Sequence, residues 1–116
     1  MASMERVVSE FASRVYGAVA GIPAGRVATY GGVAEAIGCA SARAVGQALR
    51  RNPYAPKVPC HRVIASDLRL GGFQGCRAGA ALRRKERLLV VEGVRFVNER
   101  LEEPERLWEF CREKSA

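Results

Sequence analysis

The chain has one histidine, no Cys-x-x-Cys pair and no apolar run long enough to cross a bilayer. It also has no internal repeat, no low-complexity linker and no export-signal pattern. Each absence excludes something. Cysteines stand at 39, 60, 76 and 111, and with His61 as the sole imidazole they do not supply the spacing of a zinc site. No structural metal and no cofactor is expected. Without an export signal or an apolar span, the chain is expected in a reducing compartment, cytoplasmic (nucleoid-associated) or nuclear, with its cysteines as thiols and no membrane association. A length of 116 residues predicts a single domain over 1–116 with no N-terminal companion domain. That length holds one modest core, too little for a catalytic domain plus a separate binding domain.

What the chain does have is positive charge. The formal net charge is +7 and the pI is about 9.8. A basic excess on one small domain suits a polyanionic partner. Charge alone leaves open a merely basic, soluble protein.

Apolar spacing predicts a helix from Met4 to Ala20, broken by Gly21-Ile22-Pro23-Ala24-Gly25. Val27 to Tyr30 leads into a short helix at about Gly32 to Ile37, ended by Gly38. Ser41 can cap a further helix to Arg51, and Asn52-Pro53 ends it, because a residue before proline avoids the helical region. Two short helices joined by a tight turn read as a helix-turn-helix. The small residues of the second helix, Ala42, Ala44, Gly46 and Ala48, suit close approach to another surface, which is either a ligand or the protein's own core. His61 to Ala65 predicts a short strand, and Ser66-Asp67 with Gly71-Gly72 predicts a small wing or hairpin. Ala80 to Val91 reads as a helix with Leu82, Leu88 and Leu89 inward and Arg83, Arg84, Lys85 and Arg87 outward, ended by Gly93. A strand at Val94 to Val97 and a last helix from Pro104 to Glu113, with Leu107, Trp108 and Cys111 on its apolar face, complete the pattern.

Chemistry concentrates in Val58-Pro59-Cys60-His61-Arg62-Val63. A cysteine is nucleophilic when a neighbouring base or cation stabilises its thiolate. His61 stands next to Cys60, but adjacent residues on a strand point to opposite faces, so direct contact is not given and a bridging water could carry the proton. Cys-His alone is explained better by a buried structural cysteine beside a surface histidine.

Along the chain come Tyr30, Arg43-Ala44-Val45-Gly46, Asn52-Pro53, Pro59-Cys60-His61-Arg62-Val63, Gly71-Gly72 and Glu92-Gly93. This order, with the interval from the helix arginine to the cysteine, resembles the 6-O-alkylguanine-DNA alkyltransferases over roughly Val15 to Val94. The resemblance implies a mainly α, winged-helix-like domain with a small β wing and a helix-turn-helix. Its recognition helix, about Ser41 to Arg51, would enter the minor groove of double-stranded DNA containing 6-O-alkylguanine. There Ala44, Gly46 and Ala48 would let the backbone approach the groove floor, with Arg50 and Arg51 also at the DNA. Arg43 would fill the space left by a flipped nucleotide. Cys60 would accept the alkyl group once and irreversibly. His61, through water, would take the thiol proton, and Glu92 would orient His61. Tyr30 would crowd the target phosphate and help protonate the departing guanine, while Asn52 would buttress the turn before Cys60. Val63, Gly71, Gly72 and Phe73 would line the lesion pocket. The other three cysteines match no catalytic position, and a monomer is implied.

The physical logic agrees. The O6 substituent is inaccessible in the stack, so the base must be extruded at a cost of about a few kcal/mol. An inserted arginine offsets part of that. Three features depart from the family's pattern: the sequence starts almost directly at the DNA-binding domain, so no preceding domain is expected; Phe73 stands where the wing usually carries tyrosine; and the loop between the short helices is one residue shorter. The short length also resembles the alkyltransferase-like proteins, which bind alkylated guanine without repairing it and pass it to nucleotide excision repair proteins. Those typically lack the cysteine, whereas this chain keeps Cys60, His61 and Glu92. A transcription regulator built on the helix-turn-helix is a third reading, and it leaves the Pro-Cys-His-Arg-Val segment unexplained.

Overall fold

Ser9 opens the first helix: its hydroxyl oxygen accepts from the Ala12 amide at 3.0 Å, satisfying one orphan donor of α1, Glu10–Ala20. The computed structural model describes residues 9–54, 57–71 and 79–110, so the Met4 to Ser9 part of the expected helix lies mostly outside the described residues. Val15, Tyr16 and Val19 bury the inner face of α1, and the Tyr16 hydroxyl donates to the Ala48 carbonyl at 2.7 Å. The chain then extends through β1, Ala28–Thr29.

Thr29 ends β1 and caps α2, Tyr30–Ala36, its Oγ1 accepting from Gly32 N at 2.9 Å. The helix therefore starts two residues before the expected Gly32. The glycine pair that argues against a helix there meets close neighbours: a Cβ on Gly32 would lie 3.1 Å from Thr29 Oγ1, and one on Gly31 3.2 Å from Ser66 Oγ. Gly38 turns the chain with φ +74°, and Ser41 caps α3, Ala42–Arg50, by accepting from Ala44 N at 3.0 Å. Helices α2 and α3 form the helix-turn-helix, with Val33, Ala34, Val45, Ala48 and Leu49 in the core between them and α1.

The expected strand from His61 to Ala65 is half turn. Cys60–Arg62 is one turn of 3-10 helix, and only Val63–Ile64 forms β2. Pro59 precedes that turn, its carbonyl accepting from Arg62 N at 2.9 Å, so the backbone curls before it extends. Strand β2 pairs parallel with β1, Ala28 opposite Val63 and Thr29 opposite Ile64. Val63 points into the core shared by α1, α2 and α3, while Ile64 points into a second core with Val27, Leu89, Val94 and Leu101.

Helix α4, Ala80–Val91, has the expected bounds but a rotated face. Lys85 is fully buried and Leu88 is exposed, the reverse of the expectation. Lys85 and Leu89, one helical turn apart, define the inner edge. The lysine's apolar stem packs as a hydrophobe, and its ammonium donates to Val63 O at 2.8 Å and Leu70 O at 2.6 Å.

The expected strand near Val97 is one arm of a hairpin, with β3, Phe96–Val97, antiparallel to β4, Arg100–Leu101. Its two turn residues, Asn98 and Glu99, both have positive φ. The expected helix from Pro104 to Glu113 is absent over its described part. Pro104–Arg106 makes one 3-10 turn and the chain then extends beside β1. Val27 N donates to Arg106 O at 3.0 Å and Trp108 N to Val27 O at 2.7 Å, so β1 captures a segment whose apolar spacing suggested a helix. Leu107 and Trp108 go to different cores, as neighbours on a strand do. Cys111 and Glu113 lie outside the described residues.

Candidate active site and nucleic-acid interface

Cys60 opens the 3-10 turn and is a half-buried free thiol against the first core. The turn before it is stitched by Asn52, whose Nδ2 donates to Val58 O at 2.8 Å while its Oδ1 accepts from Tyr54 N at 2.8 Å. Cys60 N donates to Val58 O at 2.8 Å, so Asn52 and Cys60 share one carbonyl. The tight turn also removes the strand geometry that would have sent His61 and its neighbours to opposite faces.

His61 is buried, and its Nε2 lies 3.0 Å from Glu92 Oε2. Glu92 caps the C-terminus of α4, which brings residues 31 positions apart together. Arg62 reaches the same carboxylate with a fork: Nε donates to Oε1 at 3.0 Å and Nη2 to Oε2 at 2.7 Å. Its Nη1 donates to Ile22 O at 2.8 Å. Burial pushes the Glu92 carboxyl up, but hydrogen bonds and charge from Arg62 and His61 outweigh it and hold the group below its ordinary value. Glu92 is therefore a carboxylate at neutral pH. Arg62 was quoted in the sequence only as part of a motif. A partly buried carboxylate needs a cation, and that requirement was the signal available for it.

Tyr30 starts α2 and lies between both halves of the site. A Cβ on Gly71, which has φ +73°, would come 3.3 Å from its ring, and one on Gly46 would come 3.9 Å from it. The Lys85 ammonium sits 5.8 Å from the ring centroid. Burial, with the nearby Cys60, pushes the Tyr30 phenol up to about 12, so it keeps its proton at neutral pH. Burial pulls Lys85 down to about 7, with Cys60 acting in the opposite direction. Helical spacing classes Lys85 with the polar face, whereas the structure buries it fully. A cleft of about 790 Å3 flanks the site, lined by Tyr30, Ala65, Leu70, Gly71, Leu82 and Arg83 among others.

The outer face of α3 carries Arg43, Gln47 and Arg50, with Arg51 at its end, all exposed at helical spacing. Gln47 was not singled out in the sequence. Ala44 is half-buried beside this stripe. Ala48 packs into the core, and a Cβ on Gly46 would make ordinary van der Waals contact with the Tyr30 ring at 3.9 Å. Val63 is fully buried, which removes its side chain from any open lesion pocket. Gly72, Phe73 and Cys76 lie outside the described residues. Cys39 is half-buried in the α2–α3 turn, its sulfur accepting from Ser41 N at 3.2 Å. Among the described residues no helix is long and apolar enough to cross a membrane.

Residues 10–94 match the family described as "6-O-methylguanine DNA methyltransferase, DNA binding domain". A methylated-DNA–protein-cysteine methyltransferase of Mycolicibacterium paratuberculosis is 47% identical over 85 residues, which is 72% of this chain and 48% of the relative. The chain thus spans about half the length of the curated relatives it matches. Among solved structures, S. pombe Atl1 in complex with damaged DNA containing O6-carboxymethylguanine has a TM-score of 0.75 at 36% identity, covering 86% of this chain and 95% of that one. Mycobacterium tuberculosis OGT in complex with DNA has a TM-score of 0.64 at 42% identity, covering 72% and 50%.

Proposed function

Because the chain belongs to the 6-O-methylguanine DNA methyltransferase family through its DNA-binding domain, we propose that it binds duplex DNA through α3, extrudes 6-O-alkylguanine and transfers the alkyl group to Cys60. The observation that carries this reading is the arrangement around the thiol. His61, the next residue after Cys60, is paired with a carboxylate, a protonated Tyr30 lies near the thiol, and an exposed basic stripe runs along α3.

The step is a displacement at carbon. Cys60 Sγ forms a bond to the alkyl carbon as the bond from that carbon to guanine O6 breaks. The thiol proton passes to His61 through water, and Tyr30 supplies a proton to the departing guanine. Return of the proton held by His61, through solvent, to the Tyr30 phenolate closes the balance: in net terms one proton has moved from thiol to guanine, and a thioether remains. No residue of the site can reverse a thioether, so each chain reacts once. Incubation with a duplex containing 6-O-methylguanine should add one methyl mass per chain, mapped to Cys60.

A second reading is a protein that binds the lesion without transfer. The favouring observation is the likeness to Atl1, whose TM-score of 0.75 exceeds the 0.64 of the M. tuberculosis OGT–DNA complex. Tight lesion binding by wild-type protein with unchanged mass would establish it in place of transfer.

Arg43 tests extrusion apart from chemistry. It is exposed in the first turn of α3 and separate from the His61–Glu92 pair. Arg43→Ala should slow reaction with a duplex lesion by on the order of 1–3 kcal/mol, a part of the cost of flipping. Reaction with free 6-O-benzylguanine should stay near wild type. Equal loss of both would assign Arg43 to the fold instead.

Phosphate contacts give a further expectation. Affinity for undamaged duplex should fall steeply with salt, and the slope of log affinity against log salt should drop by about one for each of Arg50→Ala and Arg51→Ala. Sequence preference among undamaged duplexes should be weak, because the minor groove presents a degenerate pattern. Tight sequence-selective binding would point to a regulator.

A further inference from the structure

Arg62 takes no part in the transfer step described above, yet it holds both oxygens of Glu92. Its contact to Oε2, at 2.7 Å, is shorter than the 3.0 Å from His61 Nε2 to the same atom. The guanidinium is itself fixed by Ile22 O at 2.8 Å, on the turn that follows α1. All three of its nitrogens are thus engaged, and the planar fork leaves the carboxylate one orientation.

An ionised carboxylate can only accept hydrogen bonds. The His61 nitrogen facing Glu92 must therefore donate, which places the neutral ring's proton on Nε2 and leaves Nδ1 bare. We propose that Arg62 is a positioning residue: by gripping both oxygens of Glu92 it fixes the Nε2–H tautomer of His61 and leaves Nδ1 as the ring's basic nitrogen. Two effects act together. The fork prevents the carboxylate from rotating away. Its charge also keeps Glu92 ionised where burial alone would favour a protonated carboxyl, which could donate and so release the choice of tautomer. The consequence for catalysis rests on the alkyl-transfer reading, since Nδ1 is then the acceptor for the thiol proton. The tautomer itself does not depend on that reading.

His61 is the only histidine in the sequence, so one imidazole gives all the signals in a protein labelled with 15N-histidine. Spectra recorded where the ring is neutral should show wild-type protein as a single tautomer, with Nε2 protonated. Arg62→Ala should give a mixture of both tautomers. Its single-turnover rate on 6-O-methylguanine duplex should fall roughly 10- to 100-fold, a part of the contribution of a general base, with lesion affinity unchanged. Should that variant not fold, Arg62→Lys carries the test. Lysine keeps the charge but cannot fork, so the second tautomer must still appear. Arg106→Ala is the control, because Arg106 donates to the Gly25 carbonyl and to Glu103, not to the Glu92 carboxylate, and should keep the single tautomer. A wild-type ring protonated on Nδ1, or a folded Arg62 variant that retains the pure Nε2–H form, would overturn the proposal. A pure Nε2–H spectrum without methyl transfer would leave the role of Arg62 standing and sink the transfer reading.

Discussion

Replacing Cys60 with serine should abolish alkyl transfer while leaving lesion binding within a few-fold of wild type. The two side chains differ by one atom, so the half-buried position at the head of the 3-10 turn should tolerate the change. The chemistry should not. Displacement at an alkyl carbon needs a soft nucleophile, and a thiol whose proton a nearby base can take meets that need. A serine hydroxyl in the same place remains protonated and is a poor nucleophile toward carbon. The measurement is intact-protein mass after incubation with methylated duplex, beside fluorescence anisotropy for binding. Methyl gain by Cys60→Ser would move the acceptor elsewhere, and peptide mapping would locate it among the other cysteines. Loss of binding with loss of transfer would mean that the thiol supports the pocket's shape.

The second large effect concerns stability against pH. Lys85 is fully buried and held at about 7, against 10.5 in an unfolded chain. Between those values the unfolded state binds more protons, so folding stability should rise with pH there. The slope can reach about 1.4 kcal/mol per pH unit, and over the whole window the change amounts to several kcal/mol. Below about 7 the lysine is charged in both states and its penalty is fully present. Tyr30 acts in the opposite sense and later: its phenol ionises near 10 unfolded and about 12 folded, so stability falls as pH rises through that range. Maximum stability is therefore expected near pH 10. Lys85→Met should flatten the rise between 7 and 10, because it removes the titrating group, and should leave Val63 O and Leu70 O without that donor. Denaturant unfolding at pH 7, 8.5 and 10 measures both curves. A wild-type stability that is level over that interval would show that Lys85 titrates normally in the folded protein.

Much of this architecture is legible in the sequence, for identifiable reasons. Ser41 and Gly38 mark the boundaries of the helix-turn-helix through capping and positive φ, which are local effects. Helix α4 has the expected bounds because its periodicity is long. The errors came where a distant partner decides. Val27 captures Leu107 and Trp108 in an extended form against their helical spacing. Lys85 is buried because carbonyls from two other segments meet its ammonium. At the site, residue order placed Cys60, His61 and Glu92 on the page, but their distances depended on the turn after Pro59, which the alternating pattern from His61 onward concealed.

The order in which these parts can form follows from chain separation. The helix-turn-helix closes through residues a few positions apart, such as Ser41 with Ala44 and Gly38 with Glu35. The carboxylate that Arg62 grips lies 30 residues beyond it, and the carbonyl that anchors Arg62 lies 40 before it. The sheet edge at Val27 waits for a segment about 80 residues downstream, where Arg106 binds Gly25 O across a separation of 81. Closing such loops is slower than forming local helices. On a ribosome, where the N-terminal part emerges first, the α2–α3 unit can assemble before Glu92 reaches His61 and Arg62. A chain caught at that stage holds its helix-turn-helix without the ion pair that fixes His61, and on the function proposed above it would meet DNA before it could react.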